Sequence, residues 1–280
     1  MASEAVPFLI LGATGQIGRA LHAGWPWFMR GGLRPIWQTR RKQPGYLHWD
    51  ILNGACPEMA ASGVVLCLAG GRAAGEANRD LALAALKAAG AQGARHVFLM
   101  SSAAVYGPAA APLTEEMQPA PLAEYGRQKL AMEQDALAHV AQSGQRMTIL
   151  RLGNVAGMDA LLGGAARHHP VTLDPVPGAE GGPLRSYIGP KTLGAVLARL
   201  AHLAAEHADL PPILNIATPR PVRMADLLDA AGVSWHYGPE NPDVLAKVVL
   251  DTARLQRLIP LPPPAGNPAS MVAEWHGVGA

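Results

Sequence analysis

The stretch from residue 8 to residue 18, which reads Phe-Leu-Ile-Leu-Gly-Ala-Thr-Gly-Gln-Ile-Gly, constrains the fold of this chain most strongly. Four apolar residues predict a buried strand, and the spacing G-x-x-G-x-x-G then opens a helix. Gly12 permits a tight turn, Gly15 lets the backbone approach a pyrophosphate, and Gly18 lets the helix pack on the strand. The turn predicts a phosphate cradle, with an ordinary glycine-rich turn as the alternative. The other residues expected at the cradle are Thr14, Gln16 and Ile17.

Composition points to a small-molecule partner. The chain has 280 residues, and 23 Lys and Arg against 21 Asp and Glu give a formal charge of +2. No basic block indicates nucleic acid or a membrane surface, and no apolar stretch reaches membrane-spanning length. Cys56 and Cys67 suggest neither a disulfide framework nor a metal cluster, which fits a reducing cytoplasm. The histidines show no metal-ligand spacing; they include His168, His169, His202 and His207.

Strands alternate with helical patterns through the first half of the chain, which predicts repeated β-α-β units and a parallel sheet. The second strand, Pro35 to Thr39, is followed by Arg40, Arg41 and Lys42. In dinucleotide folds a carboxylate at this place holds the ribose hydroxyls of NAD, whereas cations accommodate the extra phosphate of NADP. The sequence therefore favours NADP over NAD, with a solvated basic loop as the alternative.

Two further strand ends are candidates for the cofactor site. Asp50, followed by Ile51, is placed where a side chain can hydrogen-bond an adenine amino group, or it is a turn residue at a strand end. A buried run ends in small residues that let a ligand lie against the backbone. Its last residues are Leu68, Ala69 and Gly70.

Ser102, Tyr125 and Lys129 form the candidate catalytic set. Tyr125 and Lys129 are four residues apart on a predicted helix and share one face. The free pKa of a phenol is about 10, and a lysine ammonium lowers it towards the range useful for proton transfer. A serine hydroxyl can bind the same substrate oxygen, while a nicotinamide cofactor supplies the hydride. The motif Y-x-x-x-K is common by chance, so its weight comes from its place after the glycine turn and the strands.

Taken together, these motifs resemble those of the extended short-chain dehydrogenase/reductases, in the group called the NAD-dependent epimerase/dehydratase family. The resemblance covers nearly the whole chain. The segments that carry it are residues 12–18, 50–51, 68–70, 101–107, 125–129 and 150–155 with Asn78, and more weakly residues 185–188, 214–216 and 251–255.

The resemblance implies an α/β Rossmann fold with a doubly wound, seven-stranded parallel sheet and a smaller C-terminal substrate-binding part. The expected domains are residues 1–155 for the dinucleotide and mainly 156–280 for the substrate, with segments near 185–218 returning to the first. Tyr125 would be the general acid/base, Lys129 its modulator and ribose anchor, and Ser102 the carbonyl binder. The implied substrate contacts are Ala103, Asn154 and Arg185. A homodimer would form through the helices near residues 76–89 and 122–143.

Departures from the family pattern narrow the reaction. Related sugar dehydratases carry acids directly after the catalytic hydroxyl residue, but here Ala103 and Ala104 follow Ser102. This argues against dehydration and leaves epimerisation, keto reduction or alcohol oxidation of a sugar or nucleotide-sugar. The segment 238–248 lacks an arginine for a diphosphate, and Lys247 is a possible substitute. A small carbonyl substrate and an NADP-binding sensor without turnover stay open as alternatives.

Overall fold

A computed structural model describes residues 5–28, 32–57, 63–71, 74–109, 112–165 and 170–278. His168 and His169 lie outside these residues. Within them no helix combines the length and the hydropathy needed to cross a bilayer. The strands are β1 Val6–Leu11, β2 Leu33–Thr39, β3 Leu47–His48, β4 Val64–Cys67, β5 His96–Ser102, β6 Met147–Leu152, β7 Asn154–Val155, β8 Val171–Leu173, β9 Leu184–Arg185, β10 Tyr187–Ile188, β11 Ile213–Ile216, β12 Val222–Arg223, β13 Trp235–Tyr237 and β14 Lys247–Val248.

A seven-stranded parallel sheet forms the centre of the molecule, in the order β11-β6-β5-β4-β1-β2-β3. The predicted Rossmann fold is thereby confirmed. Strands β1 and β4 are neighbours in space but not in sequence, and this switch point opens a crevice at the carboxyl ends of the strands. The register pairs Leu11 with Cys67 and Ser102 with Leu152, so the residues after these strands emerge at one edge.

Helices cover both faces of the sheet. They are α1 Gln16–Phe28, α2 Ala77–Ala91, α3 Glu124–Ser143, α4 Leu162–Ala165, α5 Pro190–Ala205, α6 Met224–Ala230, α7 Ala253–Leu258 and α8 Pro268–Gly277. One apolar core lies between the sheet and helices α1 and α5, and a second lies between the sheet and helices α2 and α3. Strand β4 and the second half of β1 are buried on both sides, which explains their continuous apolar sequences.

The alanines of α2 that could pack against a second copy of the chain are already buried within this one. Ala82, Ala85 and Ala89 are at most 3% exposed and pack in the second core with Met132 and Ala136 of α3. These three alanines therefore hold α2 on its own sheet, which was the alternative interpretation of the same pattern. The homodimer stays a prediction.

The C-terminal part has a third core, which includes Tyr187, Leu228 and Met271. Helix α8 belongs to it and begins at the end of the proline-rich stretch 260–268. Pro268 begins the helix, and the Asn267 side chain accepts a hydrogen bond from the Ala269 amide at 2.9 Å. An Asn cap before a proline is a helix-start signal that the high proline content of this segment obscured. The division into two domains stays a prediction.

Candidate active site

The glycine turn has the geometry that its spacing predicted. Gly12 has φ +76°, and a Cβ there would lie 2.7 Å from the Ala69 nitrogen. At Gly18 a Cβ would lie 2.5 Å from the Ala13 carbonyl oxygen, so only glycine lets α1 pack this closely. Gly15 is exposed, with only the Gly12 carbonyl oxygen within 4 Å of its Cβ position. The turn thus leaves open backbone at the N-terminus of α1, where an anion is stabilised.

Gln38, which the sequence interpretation did not select, holds this turn to the second strand. Its side-chain oxygen accepts from the Gly12 amide at 2.8 Å, and its side-chain nitrogen donates to the Trp49 carbonyl. Gln38 is 2% exposed, so these bonds satisfy a buried amide. A polar residue directly after the apolar Ile36 and Trp37 was the available signal.

The predicted adenosine contacts lie at the ends of β2 and β3, outside the central cavity. Arg40 and Arg41 are exposed, and the Arg41 amide donates to the Thr39 hydroxyl at 3.3 Å. Asp50 accepts from the Leu52 amide at 3.1 Å, and the Asn53 side chain is the main cause of its lowered pKa. Asp50 therefore caps its own turn, as the alternative interpretation required. Its adenine contact stays a prediction, as do those of Ile51 and Ala69.

The three candidate catalytic side chains line one cavity of about 640 Å³. Ser102 ends β5, and its Oγ accepts from the Ala104 amide at 3.2 Å in the short 3-10 turn that follows. Tyr125 lies in the first turn of α3 and is half-buried. Lys129, on the next turn, is 4% exposed and donates from Nζ to the Met100 carbonyl at 3.0 Å. Burial lowers the pKa of Lys129.

Gly126 allows α3 to approach the Ser102 turn. A Cβ at this position would lie 2.1 Å from the Ala104 carbonyl oxygen and 2.8 Å from Pro121 Cβ. Such separations are far below van der Waals contact, so a side chain here would push the helix away. The glycine sets the distance between Tyr125 on the helix and Ser102 on the sheet.

Gly70 and Gly71 line the cavity next to Lys129. Asn78 is 1% exposed; its Oδ1 accepts from the Gly71 amide at 2.7 Å, and its Nδ2 donates to the Gly71 and Gly75 carbonyls. A Cβ at Gly70 would lie 2.5 Å from this Oδ1 and 3.8 Å from Lys129 Nζ. Glycine is required here because φ is +118° and the space is filled.

The opposite wall of the cavity comes from the C-terminal part. Arg185 lines it together with Asn154, which follows β6, whereas Ala103 belongs to another apolar cluster with Val105. Substrate contacts at these three residues stay a prediction. Arg185 also lines an adjoining cavity of about 510 Å³. The other predicted lining residues that the structure brings to the first cavity are Gln16, Ile17, Leu68 and Gly70.

Asp159 and Tyr187 also line this wall, and the sequence interpretation selected neither. The Tyr187 hydroxyl donates to Asp159 Oδ2 at 2.6 Å, and the Leu162 amide donates to Oδ1 at 3.1 Å. Burial raises the pKa of both groups. The two residues are 28 positions apart, so no local sequence pattern announces their contact.

Among the described residues, no group of three or more His, Cys, Asp or Glu side chains is arranged to hold a metal ion. The open backbone at the N-terminus of α1, Lys129 and Ser102 instead fit a dinucleotide whose pyrophosphate lies at the glycine turn. The cradle fits because each close approach around Gly12, Gly18 and Gly70 would be blocked by a side chain. The fold is the Rossmann-type fold that the resemblance to the extended short-chain dehydrogenase/reductases implied.

The sequence was compared with models of known protein families and with curated proteins. Residues 58–170 match the model of the NAD dependent epimerase/dehydratase family, which confirms the predicted resemblance over this segment. No curated protein sequence matches the chain significantly.

Solved structures of low sequence identity share the fold over nearly the whole chain. A mutant UDP-glucuronic acid 4-epimerase from Bacillus cereus, in complex with NAD, is 16% identical, with 98% of this chain and 99% of the other covered and a TM-score of 0.76. The UDP-glucose 4-epimerase of Thermus thermophilus, in complex with NAD, is 22% identical, with 97% and 99% covered and a TM-score of 0.73. An NAD dependent NDP-hexosamine 5,6-dehydratase of tunicamycin biosynthesis is 18% identical, with 98% and 99% covered and a TM-score of 0.75.

Proposed function

We propose that this chain is an oxidoreductase that uses a nicotinamide dinucleotide to reduce or epimerise a keto or hydroxyl carbon of a nucleotide-sugar. The observation that carries the proposal is the convergence of Ser102, Tyr125 and Lys129 on the cavity that the N-terminus of α1 also lines. Each element of the chemistry, a proton donor, its modulating cation and an oxygen-binding hydroxyl, is then present at one place.

Tyr125 exchanges the proton in this proposal. Its phenol gives a proton to the substrate oxygen during reduction and accepts one during oxidation, and the Lys129 ammonium stabilises the phenolate. The Ser102 oxygen already accepts from the Ala104 amide, which directs its own hydroxyl proton to the substrate oxygen. The cofactor, when bound, supplies or takes the hydride at the adjacent carbon.

The shape of the site supports a nucleotide-sugar. Two cavities adjoin, and Arg185 lines both, so a guanidinium lies between a reaction chamber and a second chamber. A diphosphate at Arg185 would place a sugar beside Tyr125 and a nucleoside beside Leu173. The two epimerases named above are described as epimerases of UDP-sugars, which agrees with this substrate class.

The choice between NADP and NAD rests on opposing observations. Arg40 and Arg41 end β2 with cations and no carboxylate, which favours the extra phosphate of NADP. Two of the three similar structures named above contain NAD, which weighs against the predicted preference. A direct titration with both cofactors decides between them, and the cations make NADP the form we propose to test first.

Elimination of water is disfavoured because Ala103 and Ala104 carry no acid or base beside Ser102. One similar structure is a 5,6-dehydratase, so the fold itself is compatible with dehydration. The argument against it therefore rests on the side chains of this chain alone.

Substitution of Tyr125 tests the proposed chemistry. With UDP-glucose and UDP-galactose as probes, Tyr125→Phe should reduce turnover by at least about 100-fold, the contribution typical of general acid/base catalysis. Cofactor affinity, measured by fluorescence titration, should be retained. Tyr237→Phe is the matched control, because Tyr237 is 43% exposed and bonds to the Gly181 amide away from the site. Undiminished turnover in Tyr125→Phe would refute the mechanism, and cofactor binding without any turnover by the unmodified chain would favour the sensor.

A further inference from the structure

A buried ion pair lies directly behind the candidate active site. Glu133 on α3 is 1% exposed and Arg151 on β6 is 2% exposed. Arg151 Nη2 donates to Glu133 Oε2 at 2.7 Å, and Arg151 Nε lies 3.2 Å from both carboxylate oxygens. The Ser101 hydroxyl donates to Glu133 Oε1 at 2.5 Å. One carboxylate thus bonds to side chains of both β5 and β6.

The elements joined by Glu133 are those that carry the candidate site. Lys129 precedes Glu133 by one helical turn on α3, so the two side chains share a face. Ser101 is directly followed by Ser102, and Arg151 lies three residues before Asn154. A buried ion pair is weak evidence for stability, because desolvation of the charges offsets most of their attraction. Its place among these elements therefore points to a role in the site.

Charge provides a second link between Glu133 and Lys129. Burial lowers the pKa of Lys129, while the Cys67 thiol and the Glu133 carboxylate act to raise it. Burial raises the pKa of Cys67 to about 11, so this thiol is uncharged near neutral pH. The ammonium also donates to the Met100 carbonyl and to the Met132 sulfur, which carry no formal charge. Of the two groups that act to raise this pKa, Glu133 is thus the one that carries a charge near neutral pH.

We propose that Glu133 is a positioning residue of this site, which fixes α3 against the ends of β5 and β6 and supplies the counter-charge that keeps Lys129 an ammonium. The consequence for catalysis rests on the proposed function, because a charged Lys129 acts there through Tyr125. The other two claims, that Glu133 fixes α3 and that it supplies a counter-charge to Lys129, concern the unliganded chain. They are tested without measuring turnover.

The decisive measurement is the pKa of the Lys129 ammonium by nitrogen-15 NMR of the full chain without substrate. The chain has only five lysines, and Lys129→Arg assigns the resonance. Glu133→Gln should lower the pKa of Lys129 by about one pH unit or more, as expected for loss of a nearby opposite charge. Asp135→Asn is the matched control on the same helix, because Asp135 pairs with Arg79 at the surface and should leave this pKa unchanged.

A second variant covers the case in which Glu133→Gln fails to fold with Arg151 left unpaired. Glu133→Gln combined with Arg151→Met removes both charges, and the pKa of Lys129 should still fall, although less than with an unpaired guanidinium nearby. An unchanged pKa in the folded variants would overturn the proposal.

Turnover then separates this proposal from the proposed function. In active enzyme, Glu133→Gln should move the alkaline limb of the kcat/KM profile to lower pH, because Lys129 loses its proton earlier. A merely structural role would lower stability without moving that limb. A shifted Lys129 pKa in a chain that turns over no nucleotide-sugar would sink the proposed function and leave the role of Glu133 intact.

Discussion

Gly126→Ala is the sharpest test of how the fold positions the chemistry. The new Cβ would lie 2.1 Å from the Ala104 carbonyl oxygen, whereas ordinary contact distances are about 3.5 Å. Helix α3 must therefore move by about 1 Å relative to the Ser102 turn, and a misplacement of about 1 Å can reduce the rate about 100-fold. Such a loss corresponds to about 2.7 kcal/mol of transition-state stabilisation.

The assay is kcat and KM with the best nucleotide-sugar substrate, together with cofactor affinity and thermal unfolding. We expect kcat to fall about 100-fold with little change in cofactor affinity, because the glycine turn lies on another element. Overpacking should also lower the free energy of unfolding by about 1–3 kcal/mol, partly offset by the greater helix propensity of alanine.

Gly90→Ala in α2 is the matched control for Gly126→Ala. The same methyl group would there meet only the Gln145 side chain, at 3.9 Å, so activity should be unchanged and stability equal or slightly higher. A folded Gly126→Ala enzyme with full kcat would refute the reasoning, because the close approach of α3 would then not set the geometry of Tyr125.

Three further outcomes follow from the same structure. Replacing Arg40 and Arg41 together with alanine should weaken NADPH binding about 10- to 100-fold and NADH binding far less, and equal losses in titrations would overturn the NADP preference. Because burial lowers the pKa of His96 to about 4, this side chain stays neutral in the folded chain and takes up a proton on unfolding below pH 6.5. Stability should therefore fall by about 2 kcal/mol between pH 7.5 and pH 5 through this group, and urea unfolding of His96→Gln should lack that part of the loss. Asp159→Ala should lower the free energy of unfolding by about 1–3 kcal/mol, since it leaves the buried Tyr187 hydroxyl without its acceptor, while Asp159→Asn should lose less in the same urea assay.

The sequence predicts the half of the site that is built from local patterns. Gly12, Ser102 and Tyr125 each follow or begin an element whose period is visible in the sequence, and parallel strands bring their carboxyl ends to one edge. Once the sheet is predicted, the convergence of these residues follows from topology. Their placement near this edge requires no information beyond the strand order and the helix period.

The other half of the site depends on contacts between distant segments. The Asp159–Tyr187 bond and the Gln38 bond to the glycine turn each form between residues far apart in sequence, and neither has a spacing that a periodic pattern reveals. Helix α8 begins at a proline that ends a proline-rich segment, and such a composition favours an extended chain over a helix. In the first two cases a buried polar group is paired with a hydrogen-bond partner from a distant segment, and that pairing exists only after the chain is folded.

A polar network around Glu133 connects the catalytic helix α3 with the wall of the cavity that carries Arg185. The Arg151 guanidinium lies 4.7 Å from the centre of the Tyr106 ring, and the Tyr106 hydroxyl donates to Asn215 Oδ1 at 2.9 Å. Asn215 Nδ2 donates to the Asp251 carbonyl at 3.0 Å. The amide of the preceding residue, Leu250, donates to the Ser186 hydroxyl at 2.9 Å. Ser186 directly follows the arginine that lines both cavities. Apolar residues of equal volume would pack this region as well, but they would not fix the register of these segments, because only directional bonds distinguish one register from the next. The network therefore gives a physical reason for the substrate wall and the catalytic helix to keep a constant separation.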